Sequence, residues 1–259
     1  MHPIAFQIAG HPVRSQGLLY VLAVIVAGVY AYRVARRNGW DSERVLPGLA
    51  LVVAAAYLGA RLHGALNNWQ VVVADPVRGL LHPGDLSFFG GLASGSAVLV
   101  AFLWRARLPM GAVADALSPI APVIYAVFRL GCFLNGDDYG SPTELPWGMS
   151  FPEGSPPTTE RVHPTQLYEM LLMAPVFLWL RSRIRSDHSA GSVAFELCIL
   201  MGAERIAVEV WRSGFGRSGP GHLVTSQWLA LVLAAVGVAG RWWLSKRPAD
   251  DRRRAGPGL

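Results

Sequence analysis

Charge is the scarcest property of this sequence. Only 15% of its 259 residues are charged, while 52% are hydrophobic; an ordinary soluble domain carries about 25% charged residues. So little charge cannot cover a soluble surface, and so much hydrophobicity excludes an intrinsically disordered chain. Lysine is nearly missing: 22 of the 23 basic residues are arginine, and Lys246 is the single lysine. The net charge of +6 is modest for so apolar a chain and does not suit a charge-driven nucleic-acid binder. Cysteine is scarce too, with only Cys132 and Cys198, so no disulfide framework is implied. What the sequence has in quantity is apolar run length, broken by 18 prolines and 28 glycines that exclude one long coiled coil.

A bilayer core takes about 20 mostly apolar residues per helix. Seven segments meet that description, near 17–34, 46–66, 89–104, 111–131, 166–181, 191–210 and 223–244, the third being short and rich in glycine. The expected fold is an all-α polytopic membrane bundle of about seven helices. Fifteen basic residues fall on one side: Arg33, Arg36, Arg37 and Arg44; Arg105 and Arg107; Arg181, Arg183 and Arg185; and Arg241, Lys246, Arg247, Arg252, Arg253 and Arg254. Five fall on the other, Arg14, Arg78, Arg161, Arg212 and Arg217. Arginine-rich loops stay in the cytoplasm, which predicts the N-terminus outside and the C-terminus inside. The first span lacks a basic n-region and a clean cleavage site and is not read as a signal peptide. Residues 1–245 are expected to form one transmembrane domain, followed by a basic cytoplasmic tail over 246–259.

Three arginines remain inside the spans, Arg61, Arg129 and Arg205, each in the outward half of its helix. Charge at membrane depth is expensive and commonly functional. Convergence of three guanidinium groups below the outer headgroups would suit an anionic phosphate held by forked hydrogen bonds. Glu209 follows Arg205 by four residues and shares its helix face; mutual neutralisation of that pair, or snorkelling to water, is the structural alternative. Asp115 and Glu196 lie at inward ends and are read as interface residues. The longest outward loop, about 132–165, is too polar to cross a membrane and too long to be a simple connection. Its acids, Asp137, Asp138, Glu144, Glu153 and Glu160, show no metal-ligand spacing, and neither metal nor cofactor is expected.

Four local patterns occur in order along the chain. They are SFFGGL at Ser87–Leu92, FRLGCFLNGDDYG at Phe128–Gly140, HPTQLYE at His163–Glu169 and ERIAVEVWR at Glu204–Arg212. Together they resemble the bacterial prolipoprotein diacylglyceryl transferases over roughly residues 16–240. That resemblance implies transfer of a diacylglyceryl group from phosphatidylglycerol to a lipobox cysteine thiol of a prolipoprotein, with release of glycerol phosphate, at the outer leaflet of the bacterial cytoplasmic membrane. It implies that Arg129 and Arg205 hold the donor phosphate and that Glu209 pairs with Arg205. It also marks Asn135 and Gly140 as signature positions and His163, Gln166, Tyr168 and Glu169 as the fifth-span motif. The partners expected are phosphatidylglycerol, the prolipoprotein signal peptide and membrane lipids, with no nucleic acid.

The sequence departs from the family pattern at several places. Phe89 stands where a histidine is usual, Cys132 where an asparagine is usual, Asp137 at an acidic position usually glutamate, and Gln16 where a tyrosine is common, with Tyr20 one turn later. The chain is therefore read as a divergent member.

The reaction sets three tasks: deprotonating the thiol, because the thiolate is the nucleophile; stabilising the leaving phosphate; and aligning the two substrates. Arg129 and Arg205 fit the second. For the first, His163 is a candidate base, set against its alternative as a structural residue ahead of Pro164; Asp137 and Glu169 are rivals. Cys132 and Cys198 read as packing residues. Gln166 and Glu169, one turn apart, counter-charge the arginines or bond the loop. Arg61, Tyr20, Gly90 and Gly91 complete the expected substrate-binding set, with close helix packing the plainer account of the glycines. The tryptophans, among them Trp69, Trp104, Trp147, Trp211, Trp242 and Trp243, read as interfacial anchors. Two other readings stay open: a paralogue acting on another acceptor, and a non-catalytic protein that binds anionic lipid.

Overall fold

A computed structural model describes residues 3–8, 10–81, 87–212 and 225–246. Helices dominate, and each of the seven apolar segments is helical wherever it is described. The first is α1, Ser15–Arg37, preceded by the antiparallel hairpin β1 (Ile4–Ile8) and β2 (His11–Arg14). Next come α2 (Val45–Asn67), the short α3 (Trp69–Ala74) and α4 (Pro76–Leu81), and α5 (Phe88–Arg105). The fourth segment is divided: α6 (Met110–Leu117) and α7 (Ala121–Asn135) are joined by a tight 3-10 turn at Ser118–Ile120. Pro119 lacks the amide hydrogen that a continuous helix would use there. The hairpin β3 (Met149–Phe151) and β4 (Thr158–Val162) precedes α8 (Thr165–Arg183), α9 (Ser192–Arg212) and α10 (Thr225–Ser245).

Among the described residues, four stretches are long and apolar enough to cross a membrane: Ser15–Arg37, Ser42–Asn67, Met110–Asn135 and Gln227–Ser245. Gly90–Arg105 is a shorter apolar helix. Large apolar side chains point outward along these helices and along α8, where Leu171 and Leu178 are 72% and 65% exposed. Exposed apolar surface on that scale requires apolar surroundings, as in a multi-pass membrane protein. Trp69, Trp104, Trp147, Trp242 and Trp243 are all exposed.

The chain folds as two compact units. One comprises Met1–Tyr30 and Gly111–Leu259, the other Ala31–Met110. In the larger unit α7 packs on α8, α8 on α9 and α9 on α10. Its core joins Met173, Val176, Leu180 and Val193, with Tyr125, Ala126, Leu197 and Met201 packed around them. Asp115, expected at an interface, is instead fully buried. It accepts the amides of Gly191 (2.7 Å) and Ala194 (2.8 Å) and so caps the start of α9. Glu196 pairs with Arg183 at 3.0 Å.

In the smaller unit α2 and α5 approach through small residues. A Cβ on Gly90 would collide with the Gly59 carbonyl oxygen, and one on Gly91 would meet the Ala56 oxygen at 3.1 Å. Close packing therefore accounts for Gly90 and Gly91, and Ser94 secures the contact by donating to the Ala55 oxygen at 2.8 Å. Arg61 is buried in α2 of this unit. The side chain of Phe89, residues 213–224 with Arg217, and residues 247–259 of the expected tail lie outside the described residues.

Candidate active site

The site of the larger unit grows from the end of α7. Gly136 caps this helix in the left-handed conformation, φ +67°, which glycine adopts without a Cβ clash. The amide of Asp137 then returns to the Cys132 oxygen at 3.1 Å, and Asp138 is itself left-handed at φ +61°. These two turns fold the acids Asp137 and Asp138 back over the helix end that carries Arg129 and Cys132.

Arg129 is buried and fully engaged. Its Nε and Nη2 donate to the Tyr125 hydroxyl at 3.1 and 3.0 Å, and Nη1 donates to Asp138 Oδ2 at 2.9 Å. Its Nε also lies 2.6 Å from Glu169 Oε2. Glu169, one of the completely buried residues of α8, gathers two more cations from α9: Arg205 Nη1 at 3.0 Å and Arg212 Nη1 at 3.6 Å from Oε1. The Tyr125 hydroxyl donates to the same oxygen at 3.3 Å. Burying one carboxylate is prohibitive unless it is paired, and here three guanidinium groups share it. Arg205 also pairs with Glu209 at 3.0 Å, one helical turn on. Arg212 Nη2 pairs closely with Asp138 Oδ1, so Asp138 bridges Arg129 and Arg212. Burial works to raise the Asp138 carboxyl, but Arg212 and Arg129 outweigh it and hold it below the usual carboxylate range.

The loop and the start of α8 lock together around this cluster. The amide of Gly140 donates to the His163 oxygen at 2.8 Å, and the His163 amide donates to the Ser141 oxygen at 3.0 Å. A Cβ at Gly140 would strike the Trp211 oxygen and meet Thr165 Cγ2 at 2.8 Å, so only glycine fits. Gln166, fully buried, donates to the Asp137 carbonyl at 2.5 Å, and Thr165 donates to the Asp138 carbonyl at 2.9 Å. The His163 Nδ1 lies 3.1 Å from the Tyr168 hydroxyl, which also accepts from Trp147 Nε1 at 2.8 Å. Burial lowers the His163 pKa from its ordinary value of 6.5, so the ring is neutral at neutral pH. An apolar cavity of about 590 Å³ lies along Leu145, Trp147, Leu167, Tyr168, Leu171 and Trp211.

Gln16, Cys132 and Asp137 lie together. Gln16 donates to Asp137 Oδ2 at 3.2 Å and lies 3.9 Å from Cys132 Sγ. Asn135 donates to the same Asp137 oxygen at 2.6 Å, while Asp137 Oδ1 is buried with no hydrogen-bond partner among the described residues. Tyr20 stacks on Phe128, with ring centroids 4.5 Å apart. Ligand atoms of Cys132, Asp137 and Asp138 lie within 4.8 Å of one another. A cation there would face Arg129, whose Nη1 is 3.9 Å from the thiol, and both Asp138 oxygens already pair with arginines. The donor set therefore suits an internal ion-pair network and not a metal.

Arg129, Arg205, Glu169 and Glu209 are thus brought together, with Asp137, Asn135, Gly140, His163, Gln166 and Tyr168 in the adjoining loop and start of α8. The third cation beside Arg129 and Arg205 is Arg212; Arg61 belongs to the other unit. Sequence reasoning placed Arg212 among the outward flanking charges, although its spacing of seven from Arg205 puts both on one helix face. Tyr125, four residues before Arg129, carried the same signal. Glu204 opens the ERIAVEVWR motif, whose resemblance assigns it no role. It is 6% exposed, and neither carboxyl oxygen has a hydrogen-bond partner among the described residues.

Known proteins are similar to this chain over nearly its whole length. Residues 3–243 match the family described as prolipoprotein diacylglyceryl transferase. A phosphatidylglycerol–prolipoprotein diacylglyceryl transferase of Vibrio vulnificus strain CMCP6 is 34% identical over 255 residues, covering 95% of this chain and 92% of that protein. A protein of the same name from Solidesulfovibrio magneticus is 33% identical over 259 residues, with 96% of each chain covered. One from Parasynechococcus marenigrum is 29% identical over 264 residues, covering 95% and 94%.

Proposed function

The chain belongs to the prolipoprotein diacylglyceryl transferase family, and from that premise we propose that it moves a diacylglyceryl group from phosphatidylglycerol to the cysteine thiol of a prolipoprotein lipobox. The sulfur attacks the glyceryl carbon that bears the phosphate. The carbon–oxygen bond breaks, glycerol phosphate leaves with the bonding electrons, and a thioether forms. The proton of the thiol must pass to a base.

The observation that carries this reading is the convergence of Arg129, Arg205 and Arg212 on the buried Glu169. Glu169 and Glu209 hold the guanidinium groups in place before substrate arrives, so no reorganisation is needed as charge builds on the leaving phosphate. The side chains of Arg205 and Arg212 are 19% and 17% exposed and form the edge that an arriving anion meets first. The apolar cavity beside Tyr168 and Trp211 suits an acyl chain of the donor.

Asp137 is the base in this proposal. One oxygen is fixed by Asn135 and Gln16, and the other is free to accept a proton. A free thiol sits about 4–5 pKa units above an ordinary aspartate, a gap the arginine field narrows by favouring thiolate. Both oxygens of Glu169 are committed to arginines, which makes it a counter-charge. The His163 side chain meets Tyr168 and its backbone bonds the loop, which makes it a positioning residue.

Seven membrane spans, with the N-terminus outside and the C-terminus inside, complete the proposal. They rest on the seven helical segments and on the arginine-rich loops of one side. The site then faces the outer leaflet, where a lipobox cysteine emerges after translocation. Purified full-length chain supplied with phosphatidylglycerol and a lipobox peptide should yield the thioether-linked peptide. A folded preparation that yields none contradicts the reading.

A further inference from the structure

Glu204 lies on α9, immediately before Arg205, and is 6% exposed. Its charged neighbours are Glu169 from α8, Arg129 from α7, and Arg205 and Arg212 from α9 itself, so it lies within electrostatic reach of the arginine cluster. The other carboxylates there are committed: Glu169 to three arginines, Glu209 to Arg205, and Asp138 to Arg129 and Arg212. Glu204 keeps two buried oxygens with no hydrogen-bond donor among the described residues.

A buried polar group left unbonded is destabilising, and a ligand that supplies the missing donors recovers that loss on binding. A carboxyl of this kind offers two adjacent acceptor oxygens. The arginines beside it suit an anionic phosphodiester. On a phosphodiester lipid whose headgroup adds no charge, the donors available to Glu204 are hydroxyls.

We propose that Glu204 accepts hydrogen bonds from the glycerol hydroxyls of the donor headgroup, so that the arginines recognise the phosphate and Glu204 recognises the diol. This assignment takes the donor's identity from the transferase reading. It adds a selectivity element: headgroups without hydroxyls leave Glu204 unbonded, and a site built to hydrogen-bond a hydroxyl rejects analogues that lack it.

The test is binding to the detergent-solubilised full chain, read as displacement of an acyl-labelled phosphatidylmethanol probe. That lipid carries the same single phosphodiester charge but no headgroup hydroxyl. Unlabelled phosphatidylglycerol should displace it at least about tenfold less well from Glu204→Ala than from the unsubstituted chain. Unlabelled phosphatidylmethanol should compete equally well, within about twofold, on both proteins, which also reports an intact site. Glu204→Gln, which keeps one acceptor oxygen, should fall between the two. The proposal is overturned if phosphatidylglycerol and phosphatidylmethanol weaken together, or if neither changes. It is overturned as well if Glu204→Gln weakens phosphatidylethanolamine but spares phosphatidylglycerol, because the preferred donor would then be an ammonium. Selective diol binding without turnover of phosphatidylglycerol would defeat the transferase reading and leave this assignment standing.

Discussion

At the residue scale, the proposed function rests on guanidinium geometry as much as on charge. Arg129 directs Nε and Nη2 to Tyr125 and Nη1 to Asp138 while lying against Glu169. A lysine at that position supplies one compact charge and cannot span those partners. Arg129→Lys is therefore expected to lower kcat/KM by about 100-fold or more, the order found when one preorganised transition-state contact is removed. A loss under threefold in a steady-state assay would mean that charge alone suffices. Asp137→Asn should lower kcat by about 100-fold, as general-base removal does, whereas Cys132→Ala should change it less than about threefold because the thiol is a buried packing group. Complete loss in Cys132→Ala would instead make that sulfur part of the chemistry.

Asp138 gives a pH signature of its own. Its folded-state pKa is lowered, so its contribution to stability is complete above the ordinary aspartate value and is lost as pH falls through the lowered one. Asp138→Asn should accordingly lower Tm at pH 7, and the difference from the unsubstituted chain should shrink under acid. Thermal melts at both pH values decide this. Arg129, Arg205 and Glu209 were legible in the sequence because charge stands out inside an apolar run. Arg212 was not, because a charge at the end of such a run looks like a topological flank until its register with Arg205 is counted. Glu204 and Asp138 carried no pattern of their own; their roles come from which neighbours the fold leaves beside them.

At the scale of elements, apolar run length gave the helices within a few residues, since helix length and apolar length coincide in such a chain. The division of the fourth segment followed from Pro119. The loop over 132–165 was harder to read. It holds the end of α7 and the β3–β4 hairpin, whose strands of three and five residues are too short for a run of alternating hydrophobicity. Glycines decide contacts between elements. Gly140 admits the Trp211 backbone, and Gly90 admits the backbone of α2. Gly90→Ala drives a Cβ into the Gly59 carbonyl and is expected to destabilise the α2–α5 packing by about 1–3 kcal/mol, measurable as a lower Tm. An unchanged Tm would mean that the two helices can separate freely.

At the scale of the whole molecule, scarcity of charge is the organising fact. Among the described residues, Arg129, Arg205 and Arg212 meet the buried Glu169 and Glu209 and the more exposed Asp138 in one network. Family membership covers nearly the entire chain, and Gln16 contacts both Cys132 and Asp137. The central claim is transfer of the glyceryl carbon skeleton to sulfur. Phosphatidylglycerol labelled with carbon-13 in its diacylated glycerol, incubated with the purified chain and a lipobox peptide, tests it by mass spectrometry. The account predicts label bound to the peptide cysteine through a thioether, together with unlabelled glycerol phosphate. Unmodified peptide, or label leaving with the phosphate, would contradict it.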